Sequence, residues 1–148
     1  MATEIEESLR RLLITFDAVT AIVGSGSAAR IRPDRLHESD TLPAVVIEVD
    51  DEDHANDLDG LGGLVHAAVN VKCRAATKSR ARALAAAVAR NGTSPGTGLA
   101  GYSGAAGDQT IDGILEHETT SYHDDDDGDD QGYYDVDCEY TCIFQDAT

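Results

Sequence analysis

After Arg90 the chain contains no lysine or arginine. All 11 basic residues lie between Arg10 and Arg90, against 28 acids, which leaves a formal charge of −17. Residues 111–148 alone carry 13 acids. Such a surface repels polyphosphate at long range and disfavours anionic membranes. No run of about 18 apolar residues is present, so no transmembrane helix is expected. The N-terminus lacks the basic start and apolar core of a secretory signal, so synthesis in a cytoplasm is expected. Three cysteines, Cys73, Cys138 and Cys142, are an odd number at loose spacing and form neither a disulfide framework nor a zinc knuckle. They are expected as small, half-buried residues on strands.

Chemistry-bearing motifs are equally scarce. Gly24-Ser25-Gly26-Ser27 lacks the Lys-Ser/Thr of a phosphate loop, and no Gly-x-Ser-x-Gly elbow occurs. The aspartate run 124–130 resembles a calcium loop. However, placing Gly128 at the sixth loop position puts His123 first and Tyr134 last, where an EF-hand needs acids. His66 and His117 fall on expected strands and are candidates to meet across the sheet, without a metal-ligand spacing. Glu116 and Glu118 share one strand face, with nothing beside them to raise one pKa selectively. The sequence gives no positive sign of catalysis, of a cofactor or of a metal site.

What is present is apolar periodicity enough for one domain over residues 1–148. Ile5, Leu9, Leu12, Leu13 and Phe16 make a helical face, with Thr3 as N-cap and Glu6 completing a capping box. Asp17 is placed to cap a short helix, Ala18 to Val23. Arg30 to Pro33 reads as an edge or lead-in, and Ala44 to Asp50 as a β-branched strand. Residues 51–63 read as a long polar hairpin loop. In the return strand, Val65, Ala67, Val69, Val71 and Cys73 alternate with polar or small neighbours. Thr77 caps a second long helix ending at Asn91-Gly92, with Ala81, Leu84, Ala85 and Val88 inward. The stretch 92–108 is glycine-rich loop. Two last strands, Thr110 to Tyr122 and Gly132 to Gln145, flank the aspartate tip. Hairpins alternating with single helices imply an α+β fold: two main helices on one face of a mostly antiparallel sheet of about 4–5 strands, with long hairpin loops.

Two surfaces stand out. Arg74, Lys78, Arg80, Arg82 and Arg90 make a basic region around the second long helix; the first four are read as a subunit interface, with a plain solvated helix face as the alternative, in preference to a nucleic-acid site. Asp124, Asp125, Asp126, Asp127, Asp129 and Asp130 crowd one loop tip.

The ordered segments resemble a known family. They are Ala18-Val19-Thr20-Ala21-Ile22-Val23-Gly24, Arg30-Ile31-Arg32-Pro33-Asp34-Arg35 and Leu42-Pro43-Ala44-Val45-Val46-Ile47. The strand from Ala67 to Thr77 and Gly132-Tyr133-Tyr134-Asp135-Val136-Asp137-Cys138-Glu139-Tyr140 complete the set. Together they are similar to phage tail-completion, or tail terminator, proteins. The resemblance implies a structural virion protein without active site or cofactor. It implies a homo-oligomeric ring, of six copies, at the tail end or neck, which stops tail growth and joins tail to head. Its implied partners are its own copies, the tail tube protein and head-completion or adaptor proteins, with DNA passing through without specific binding and no membrane involved. The acids at 124–130 would then border the channel. The alternative reading is a cellular acidic interaction or cation-binding module without catalysis.

Overall fold

The computed structural model describes residues 5–24, 26, 29–33, 41–57, 60–91, 98–106, 109–124 and 133–145. Helix α1 (Ile5–Leu13) buries Ile5, Leu9, Leu12 and Leu13, the face set by the 3.6-residue period. Glu6 and Glu7 in its first turn and Arg10 and Arg11 in its last match the helix dipole. The expected cap Thr3 lies outside the described residues. Helix α2 (Asp17–Val23) starts one residue earlier than expected, and Asp17 is not its cap. Phe16 holds the N-cap position and makes no side-chain cap. Instead Asn91 Oδ1 accepts the Ala18 N–H at 3.1 Å, from 73 residues away.

The strands are β1 (Ile31–Pro33), β2 (Ala44–Asp57), β3 (Gly60–Ala75), β4 (Gly104–Ala106), β5 (Gln109–Asp124) and β6 (Tyr133–Gln145). Helix α3 (Lys78–Arg90) connects β3 to β4. The sheet order is β1-β2-β3-β6-β5-β4. β1 pairs parallel with β2 and every other pair is antiparallel. The α+β class and the single-sided helical layer agree with expectation. The two main helices are α1 and α3, with the short α2 between them, but the sheet is mixed and has six strands rather than 4–5.

The differences have physical causes. β2 and β3 run far into the stretch expected as loop, reaching Asp57 and Gly60. An antiparallel ladder is closed by backbone hydrogen bonds, which polar side chains leave intact. β5 likewise continues to Asp124, through His123. β4 was hidden because Gly104-Ala105-Ala106 carries no hydrophobic pattern; it forms by pairing with Gln109–Ile111.

Burial alternates along the central strands. Val65, Ala67, Val69, Val71 and Cys73 of β3 face the helices with Val136, Cys138, Tyr140, Cys142 and Phe144 of β6. α3 lies over β3 and β6, and its alanines Ala81 and Ala85 let it sit close. α1 touches β1 and β2 at one margin and β4 at the other, so the sheet curls around the helices. The segment after α3 is fastened to the helix end. Leu99 N–H and Ala100 N–H donate to the Val88 and Ala89 carbonyls at 2.9 and 3.1 Å. These are last-turn acceptors with no partner inside the helix.

Candidate subunit interface

The sheet face away from the helices is polar and registered. Ala44, Arg74, Asp135 and Tyr122 are cross-strand partners in one row. Val46, Lys72, Asp137 and Thr120 make the next. In the first row Arg74 Nε meets Asp135 Oδ1 at 2.8 Å and the guanidinium's second nitrogen meets Oδ2 at 3.1 Å. Asp135 is only 2% exposed, so this is a bidentate pair with its acid fully withdrawn from water. Lys72 Nζ lies 3.7 Å from Glu48.

Of the four basic residues read as an interface, three are brought together. Lys78, Arg80 and Arg82 are exposed on the N-terminal half of α3. Thr77 caps that helix as expected, accepting the Arg80 N–H at 3.2 Å. Arg74 sits on β3 and is engaged by Asp135 within its own subunit. The signal for that pairing was the opposite sign of Arg74 and Asp135. Only the strand order β3-β6 makes them neighbours. Asp124 ends β5, while Asp125, Asp126, Asp127, Asp129 and Asp130 lie outside the described residues.

Two open grooves flank α3. One is lined by Arg82, Ala86, Arg90, Glu116 and Cys138, with Arg90 3.5 Å from Glu116. The other is lined by Ile22, Pro43, Arg80 and Ala83. Glu116 therefore serves an ion pair with α3. His66 and His117 do not meet, because β6 stands between their strands. His117 instead contacts the Thr141 hydroxyl. Among the described residues no group of three His, Cys, Asp or Glu is placed to hold a metal.

The cysteines are on strands as expected, but wholly buried, and none of the three is in a disulfide. A hydrogen bond with Cys138 and burial raise the Cys73 pKa well above the ordinary thiol range. Burial pushes Cys142 up to about 12. Burial, with the neighbouring thiols and Glu116, also raises the Tyr140 phenol. Each is held protonated, the reverse of what a nucleophile needs. What the surface offers is charge arrayed on rigid elements, suited to contact with another protein.

The sequence profile of the family described as "Tail completion protein gp17" matches residues 7–91, more than half the chain. The chain belongs to that family. It is a phage tail-completion protein, a structural component of the virion tail. Among solved structures it is similar to a chain of the virion of a native gene transfer agent particle. The two share 17% identity over 95% of this chain and 94% of that one, with a TM-score of 0.62, a likeness of fold. No curated protein matches in sequence.

Proposed function

We propose that this chain is the subunit of a closed ring, of six copies, seated on the end of the tail tube, where it stops tail growth and joins tail to head. The observation that carries the reading is the family match over residues 7–91. The open sheet supports it. β1 covers only Val45–Ile47 of β2, and β4 covers only Gln109–Ile111 of β5, so both long strands keep an uncovered margin among the described residues. A head-to-tail ring gives each such margin a neighbouring copy to cover it around a closed circle. The protein works without catalysis or cofactor. Its partners are its own copies, the tail tube protein and the head-completion proteins. DNA passes through without specific contact, held off by Asp124 and the acids that follow it, which border the channel.

Purified protein added to polymerising tail tube protein tests this. Electron micrographs are expected to show tubes of arrested length with a ring at one end. Tubes that grow unchanged and carry no ring would overturn the proposal.

A further inference from the structure

Most described cations have a partner inside the subunit. Arg10 and Arg11 face Glu7, Arg30 bonds the Pro43 and Ile22 carbonyls, Lys72 faces Glu48, Arg74 holds Asp135 and Arg90 holds Glu116. Lys78, Arg80 and Arg82 have no ion pair among the described residues, in a chain with 17 more negative than positive charges. Lys78 and Arg80 also sit where the helix disfavours them, in its first turn. The first turn of α3 carries no acid, and cations there oppose the positive end of the helix dipole. The fold therefore keeps a local electrostatic cost on an exposed face, flanked by a notch of Ile22, Pro43 and Ala83.

A matching surface lies elsewhere on the same subunit. Asp50, Asp51 and Glu52 are exposed on β2. They fall past the point where β1 ends and at a register shift between Val49 and Asp51. A bulge and consecutive acids at an edge prevent another strand from adding to it, so contact here runs through side chains rather than backbone ladders. The notch places Arg80 beside Pro43, at the start of β2. Asp50 and Asp51 are seven and eight residues further along that strand, roughly 25 Å away. One subunit cannot bring its two patches together; two copies placed head to tail can.

We propose that Lys78, Arg80 and Arg82 on α3 of one copy dock against Asp50 and Asp51 of β2 on the next copy. This rests on the ring reading and names the contact that closes it. The two patches differ in sign and place, which makes the interface heterologous, as ring closure requires. Three cations against an acidic strand also make the contact salt-sensitive.

The test uses the full chain in three forms: Lys78→Glu with Arg82→Glu, Asp50→Lys with Asp51→Lys, and all four together. Thermal unfolding checks that each is folded. Rings are counted by light scattering and negative stain at about 50 mM salt, where screening is weak, both free in solution and on tail tube ends. Each two-residue reversal is expected to lower ring yield about tenfold or more, and the four-residue form to restore it. Folded wild-type rings left unaffected by either reversal, or not restored by the combined one, would overturn this contact while leaving the ring reading intact. A wild type that forms no ring in solution or on tubes would overturn the ring reading, and this contact with it.

Discussion

Replacing Arg74 by methionine is expected to destabilise the isolated subunit severely, although Arg74 lies on a nominally wet sheet face. Its guanidinium makes two bonds to Asp135, at 2.8 and 3.1 Å, and that carboxylate is 2% exposed. Removing the arginine leaves a charge stranded away from water. Breaking a buried pair by deleting one partner costs about 3–5 kcal/mol. For a domain of this size that corresponds to a fall in Tm of roughly 10 °C. The converse change, Asp135→Leu, leaves a cation that is 24% exposed and can swing into solvent. It should cost less, about 1–2 kcal/mol. Replacing both, Arg74→Met with Asp135→Leu, removes the stranded charge and should recover most of the loss. Urea denaturation followed by circular dichroism gives all four corners of the cycle. An Arg74→Met cost under about 1 kcal/mol, or a double variant as unstable as the sum of the two, would refute the reasoning. The same cycle separates Arg74 from Lys78 and Arg82, whose replacement should alter assembly and leave subunit stability nearly unchanged.

Two further outcomes follow from the interior. A Cβ at Gly98 would overlap the Ala89 carbonyl oxygen and the Arg90 nitrogen. Gly98→Ala must therefore push the strap off the end of α3 and disturb the bonds at Leu99 and Ala100. It should cost about 2–4 kcal/mol in denaturant unfolding, and a loss below about 0.5 kcal/mol would contradict the close approach. Burial raises the Cys142 thiol from 9.0 to about 12. The unfolded chain gives up that proton above pH 9 while the fold retains it. The stability it contributes is whole below pH 9 and is lost as pH climbs to about 12, at up to about 1.4 kcal/mol per pH unit. Cys142→Ala should flatten this alkaline decline, and an equal decline in both proteins would show that the thiol has no share in it.

The sequence carried most of the helical layer and the central strands. Alternation along 65–73 and 134–144 and the helical spacing of Ile5, Leu9 and Leu12 are direct images of burial, and burial is what periodicity reports. It failed where structure is held by backbone pairing alone. Gly104-Ala105-Ala106 and the far ends of β2 and β3 have no hydrophobic signature, so nothing in their side chains marks them as strand. The expected tip loop 51–63 was read from polarity, which describes the solvent beside a hairpin rather than its backbone.

The basic region shows the same division at the level of the site. Proximity in sequence grouped Arg74 with Lys78, Arg80 and Arg82, but the fold sorts them by what faces each one. β3 and β6 become neighbours only through the strand order, and that order gives Arg74 a buried acid while α3 carries the other three outward. A charge satisfied within the subunit contributes to stability. A charge left exposed in a chain so rich in acid, at a helix end that disfavours it, is available to a neighbour. Of the acids proposed to answer it, Asp50 ended the expected strand and Asp51 lay in the stretch read as loop. The proposed pairing rests on β2 continuing past the end of β1 as a bulged, acid-bearing edge.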